Sequence, residues 1–219
     1  YARTIIVMLV SLYVSRILLE KLGVSDFGVY SVVGSIVILI SFFENALMQA
    51  SQRFLSVSLG ENNLDKINKV FNTSISIQII MVVIAVILLE TVGIWFLNNR
   101  LSFPEGRLEA ANYVFQFSIL TFCLNFLRSP YVASVVAYER LDFFAYASIV
   151  DAMLKLGIVF AIEATEEDRL IVYAGLLSLE SFTMLMVYKI FTIHTFTTCR
   201  YSWLLDRTIF KKMFTFSGW

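Results

Sequence analysis

Charge is scarce in this sequence, and so are the usual marks of an enzyme or a nucleic-acid binder. Asp, Glu, Lys and Arg supply only 16% of the 219 residues, where a soluble domain carries about 25%. Acids and bases cancel to a formal net charge of zero, so the basic excess expected of a nucleic-acid partner is missing. Two prolines and nine glycines are too few for a collagen-like or Pro/Gly-rich disordered chain. His194 is the sole histidine and has no Cys or His companion at metal-ligand spacing. Neither a glycine-rich phosphate loop nor a GxSxG nucleophile motif occurs. The two cysteines are Cys123, in an apolar segment, and Cys199, in a hydrophilic one. The topology below separates them, so they are expected to be plain thiols rather than a disulfide. Glu105 and Glu109, a carboxylate pair on an outside loop, read as a solvated helix start. The sequence therefore points to no enzyme, no metal and no cofactor.

What is abundant is hydrophobicity. Apolar residues make up 58% of the chain and the mean hydropathy is +0.78, the composition of an all-α polytopic membrane protein. Six spanning segments are expected, at Ile5–Leu22, Phe27–Leu59, Val70–Leu97, Ala110–Ala137, Phe143–Ile162 and Leu170–Thr192. Gly23 suits a C-cap between the first two, and Ser25 or Asp26 the N-cap that follows. Pro104 and Gly106 mark a turn, and Pro130 predicts a kink near Phe126. Residues 1–192 thus form a six-helix lobe and 193–213 a cytoplasmic amphipathic linker with Leu205, Ile209 and Met213 on one side. Residues 214–219 begin a seventh span. Tyr1 at the start and FTFSGW at the end suggest a piece of a longer protein, its second lobe lying beyond.

The segment Phe27–Leu59 organises the rest. At about 1.5 Å per residue it reaches roughly 50 Å, longer than a hydrocarbon core. Ser41, Asn45, Gln49, Gln52, Arg53 and Ser56 fall within one arc of about 120°. Ile40, Phe43, Ala46, Leu47, Ala50, Phe54 and Val57 occupy the other side. Inside a bilayer such a polar arc must face protein or a water-filled space. The arc is expected to line the path of a polar substrate.

Counting Lys and Arg in alternate loops gives orientation. Lys66, Lys69, Arg140, Lys189, Arg200, Arg207, Lys211 and Lys212 make eight on one side. Lys21, Arg100, Arg107 and Arg169 make four on the other. The first set is expected to be cytoplasmic, and the acidic turn EATEEDR to lie outside.

Ionisable residues within the spans carry the functional signal, since each costs several kcal/mol, an order-of-magnitude figure, without a partner or water. Arg16, Arg53 and Arg128 lie on three different helices, which suits a cavity for an anion; the guanidinium fork engages two phosphate oxygens at once. Arg16 and Arg53 also fit side chains snorkelling to headgroups, and polar residues of the arc also fit interhelical hydrogen bonds. Asp151 and Lys155, spaced i, i+4, read as a structural ion pair. Glu44 and Glu180 also fall within spans, Glu44 off the main arc.

The runs LVSLYVSRILLEKLGVSDFGVYSVVGSIV and QASQRFLSVSLGENNLDKINKVFNTS carry a family resemblance, supported by ETVGIWFLN, ANYVFQFSIL, SPYVASVVAYER and FSGW. The chain resembles the polysaccharide transporter (O-antigen flippase) branch of the multidrug/oligosaccharidyl-lipid/polysaccharide exporter superfamily, in particular Bacteroidetes-type lipopolysaccharide biosynthesis proteins. The resemblance implies the N-terminal six-helix lobe of a MATE-like flippase fold in a bacterial inner membrane, completed by a C-terminal lobe. It implies a lipid-linked oligosaccharide as substrate and membrane lipid as surroundings. Arg16 and Arg53 match the cavity-facing cations of relatives; Arg128, Asn45, Gln49 and Gln52 come from the residue reading alone. A cation-coupled multidrug exporter and a non-transporting membrane scaffold remain as alternatives.

Overall fold

The computed structural model describes residues 2–101, 103, 106–166, 168–202 and 206–217, without the side chains at 2, 39, 40 and 217. Among these residues every regular element is helical. Pro104, Glu105 and Leu205, named above, lie outside the described residues. The first element, α1 (Ala2–Gly60), contains one non-helical residue, Gly23, at φ 77° and ψ 166°. Glycine adopts positive φ without the Cβ clash that other residues meet, so the chain can turn there within one residue.

Contacts on either side of Gly23 show that the chain reverses. Arg3 meets Ser148 at 3.1 Å and Lys21 meets Glu163 at 2.6 Å, so residues 3–21 run parallel to α5 (Leu141–Ala161). Asp26 meets Arg107 at 2.6 Å, and Asn45 shares a cavity wall with Arg128. Residues 26–45 therefore run parallel to α4 (Leu108–Ala137). A turn at 138–140 joins α4 to α5, and Arg128 faces Asp151 across the hairpin. Two antiparallel helices thus each have half of α1 beside them, and the two halves oppose one another.

Asn63 caps α2 (Leu64–Leu88) by accepting from the Lys66 amide at 2.9 Å, and Asp65 complements the positive end of the helix dipole. The helix therefore starts within the polar stretch Gly60–Lys69, ahead of the span expected from Val70. It continues through a π-helical turn (Leu89–Gly93) into α3 (Ile94–Arg100). Gly93 is required there: a Cβ would sit 2.7 Å from Cζ of the fully buried Phe115 on α4. Trp95 is 52% exposed, with Arg100 over its ring at 5.6 Å, as suits the end of a span. α4 runs unbroken through Pro130, whose carbonyl accepts from Ser134 Oγ at 2.9 Å. A short 3₁₀ turn (Ile162–Ala164) follows α5, and Asp168 caps α6 (Arg169–Thr195). Asp206 Oδ1 accepts from the amides of Thr208 and Ile209, capping α7 (Arg207–Ser217).

Six spanning segments are expected from the sequence. Among the described residues, four helical stretches are long and apolar enough to cross a membrane: Leu64–Arg100, Leu108–Ala137, Leu141–Ala164 and Arg169–Thr195. Residues 3–60 pass the same test only as a bent pair, 3–38 with 41–60 at 47°, and the reversal at Gly23 divides the first of these into two opposed halves. The protein is an all-helical membrane-type fold.

Loops sort cleanly to two ends. Lys66 pairs with Glu61 at 2.5 Å, and Tyr138 and Asn68 both bond Thr198, at 2.6 and 2.9 Å. At the opposite end Arg107 bridges Asp26 and Asp168, beside the Lys21–Glu163 pair. The first end also straps down the chain leading into α7. Asn72 donates to Arg200 O at 3.3 Å and accepts from Ser202 N at 2.6 Å, while Thr73 Oγ1 accepts from Asp206 N at 3.2 Å. Cys199 is fully buried beneath this strap; both cysteines are free. α7 then lays Met213, fully buried, and half-buried Ile209 and Phe210 against the protein. Its continuous helix crosses the 213/214 boundary expected between linker and seventh span.

Candidate functional site

Three packed clusters hold the helices apart by the width of a cleft. One joins the second half of α1 to α3 and α4 through Val33, Leu47, Leu97, Val114 and Phe115. Another joins α2, α4 and α6 through Phe71, Tyr131 and Met184, and a third seats Ile17 and Leu18 on Val159 and Tyr173. Between them lies a cavity of about 610 Å³, with walls from both halves of α1, α4, α5 and α6. Its polar wall is made by Arg3, Glu44, Asn45, Asn125, Arg128 and Asp151; Val7, Met8, Met48 and Val132 supply apolar surface. A second cavity of about 450 Å³ is lined by Ser31, Ser35, Ser41, Ser118 and Thr121. Glu44 and Asn125 belong to both walls, so a polar track continues from one space into the other.

The charges in the larger cavity form a network. Asp151 Oδ2 accepts from Lys155 Nζ at 2.7 Å, one turn along α5, and Asp151 Oδ1 faces Arg128 Nη1 at 3.5 Å. The expected ion pair is thus present and is extended to α4. Arg128 also lies 5.9 Å from the centre of the Tyr188 ring. Glu180 of α6 is 6% exposed and within hydrogen-bonding reach of Asp151. Its Oε2 accepts from Ser181 Oγ at 3.3 Å, while its Oε1 is buried without a partner. Arg3 donates to Ser148 and stacks 4.5 Å over the Phe144 ring. Such a constellation is costly in a membrane helix unless it is mutually compensated or wet, and here Asp151 is compensated by Lys155 and Arg128. One carboxylate held by two cations can release one of them and keep a partner.

Of the residues singled out in the sequence, Asn45 and Arg128 meet in this cavity. Gln49 is exposed and Gln52 half-buried, outside the walls of both cavities. Arg53 is exposed and rests on the Phe216 ring of α7 at 4.5 Å. Arg16 is exposed on the first half of α1, away from both cavities. The polar arc is divided: Ser41 and Asn45 line the cavities, while Gln49, Arg53 and Ser56 are exposed; on the apolar side Leu47 and Ala50 are buried, while Phe43 and Val57 are 53% and 50% exposed. Sequence reasoning passed over Arg3, which precedes the first hydrophobic run, and underweighted Glu44, which lies off the arc. Only the Gly23 reversal brings them together with α4 and α5.

No family model, curated protein or solved structure matches the chain.

Proposed function

We propose that this chain is one lobe of a membrane transporter that flips a polyprenyl-pyrophosphate-linked oligosaccharide across a bacterial inner membrane for lipopolysaccharide or capsular polysaccharide synthesis. The observation that carries the reading is a cavity between membrane-type helices whose wall holds Arg3 and Arg128 beside Glu44 and Asp151, with Arg128 the loosely held partner of Asp151. Lipid needs no such cavity; an anionic sugar carrier does. The sequence resemblance to O-antigen flippases supports the same substrate class.

In this reading the pyrophosphate approaches Arg128, whose fork can engage two of its oxygens. Asp151 then gives up Arg128 and stays compensated by Lys155, 2.7 Å away, so binding strands no carboxylate. Asn45, Asn125 and the serine-lined second cavity offer neutral donors and acceptors for sugar hydroxyls. Arg16 and Arg53, which the resemblance assigns to the substrate, sit on exposed faces where a second lobe would complete the path.

A second reading, export of small amphiphiles coupled to a cation, draws on the Asp151–Glu180 pair and the unpartnered Glu180 Oε1. Complementation of a flippase-deficient strain separates the two. Arg16→Lys should keep part of the surface polysaccharide and Arg16→Ala nearly none, both at normal membrane abundance, because a second lobe closed over this exposed face would shield Arg16 and the pyrophosphate from water, where loss of a charged partner weakens binding strongly. Near-normal polysaccharide from Arg16→Ala would remove that residue from the substrate site. Failure of the wild-type chain to complement, with drug resistance instead, would favour the second reading.

A further inference from the structure

A second basic feature lies outside the charged cavity, at the end of the bundle that holds Lys66, Arg140 and Arg200. There α7 and the end of α1 enclose a groove of about 590 Å³ lined by Phe54, Arg207, Thr208, Lys211, Lys212 and Thr215. The α7 residues of this lining fall on one helical arc of about 140°, opposite the buried Met213 and half-buried Ile209. α7 is therefore anchored by one face and offers three cations on the other. Arg53 reaches the same region over Phe216, whose ring packs edge-on against Phe54 at 6.4 Å.

Nothing among the described residues neutralises these cations. The groove lining contains no carboxylate. Asp206, next to it in sequence, is occupied in capping α7, and Glu61 is held by Lys66. Three uncompensated cations around one space, with two threonine hydroxyls, suit a phosphate group. The surroundings decide which kind of phosphate. Val57 is 50%, Phe214 53% and Phe216 37% exposed beside the groove, an apolar rim that acyl chains would cover and that a free phosphate or an acidic peptide has no use for. We infer that this groove is a headgroup site for an anionic phospholipid, whose phosphate binds Arg207, Lys211 and Lys212 while its chains run along the exposed apolar rim. The site fixes α7 against α1 from the lipid side, where clusters of basic residues next to a spanning helix draw anionic headgroups.

The test uses the full chain purified in detergent, with bound lipid counted by native mass spectrometry. Dioleoyl-phosphatidylglycerol should be retained in preference to dioleoyl-phosphatidylcholine. Lys211→Gln/Lys212→Gln should weaken that retention roughly 25-fold, about fivefold for each lysine. Lys69→Gln/Arg200→Gln, at the same end but outside the groove, should leave it unchanged. Melting without lipid is measured alongside; should the groove variant melt lower, Lys211→Arg/Lys212→Arg must restore retention. The proposal is overturned if the two Gln pairs lose lipid equally, which would mean general attraction of charge. Equal competition by glycerol 3-phosphate would overturn it too, since the ligand would then be a free phosphate.

Discussion

Arg128 on α4 faces Asp151 on α5 at 3.5 Å, and the second oxygen of that carboxylate is held by Lys155 at 2.7 Å. Two helices are thus tied by a carboxylate that serves two cations of unequal closeness. The arrangement is asymmetric by construction: Lys155 is the near partner on the same helix, and Arg128 is the partner that can be drawn away.

Asp151→Asn should therefore cost more than loss of either cation alone. It removes the carboxylate that Arg128 and Lys155 share, leaving only the more distant Glu44 and Glu180 as counter-charges, and the Asp151 side chain is only 21% exposed. Removing the shared partner of a buried network costs about 3 kcal/mol, discounted here to about 2 kcal/mol because Lys155 is 42% exposed and solvent-screened. For a chain of this length that is a fall of about 4–8 °C in melting temperature. Lys155→Gln should lose less than half as much. Thermal unfolding of both purified variants decides it; equal losses would mean that Asp151 does not serve both cations.

At the other end, Arg107 ties the turn after Gly23 to the start of α6 by bridging Asp26 and Asp168. Arg107→Gln leaves those two carboxylates facing each other and should cost about 2 kcal/mol, since the Asp26 side chain is 8% exposed. Adding Asp26→Asn should recover at least half of that loss by removing the repulsion. A double-mutant cycle on the melting temperature reads the coupling, and strictly additive losses would show that Arg107 does not hold the two acids together.

The strap into α7 has its own reporter. Burial pushes the Cys199 thiol up to about 11, although the hydroxyls of Thr198, Ser134 and Tyr138 pull the other way. At neutral pH its thiolate fraction is about a hundredfold below that of an ordinary thiol, and the thiolate is the reactive form. In a Cys123→Ser background, maleimide should therefore label the folded protein very slowly. Asn72→Ala removes the bonds to Arg200 and Ser202 and should speed labelling at least tenfold. Unchanged labelling would mean that the strap is held by something other than Asn72.

The helices were legible because hydrophobic runs of this length suit membrane-type helices, and Gly23 was legible as the break because it follows the first hydrophobic run and precedes Ser25 and Asp26, which suit a helix start. The Asp151–Lys155 pair followed from i, i+4 spacing alone. Arg3 and Glu44 did not: each looks incidental on its own segment, and their meeting with Arg128 depends on two parallel alignments, 3–21 with α5 and 26–45 with α4. Helical periodicity placed Asn45, Gln49 and Arg53 on one face, but which stretch of that face is enclosed depends on where neighbouring helices diverge. Asn45 lies at the cleft, whereas Arg53 has already reached α7. α2 starts at Leu64, six residues before the span expected from Val70, because Asn63 and Asp65 suit a helix start.

The central claim is that the charged cavity is the substrate path, and blocking it without touching its ion network tests that claim most directly. Asn45 lines the cavity and is exposed, its only hydrogen bond a 3.4 Å contact to Ser41 O on its own helix. Asn45→Trp should fill space without unfolding the lobe, and Asn45→Ala should leave the space open. The measurement is movement of a polyprenyl-pyrophosphate-linked sugar across vesicles containing the full-length protein, normalised to reconstituted amount. The account predicts at least a tenfold loss of transport for Asn45→Trp and less than a threefold loss for Asn45→Ala. Wild-type transport by Asn45→Trp, correctly folded and fully inserted, would contradict it.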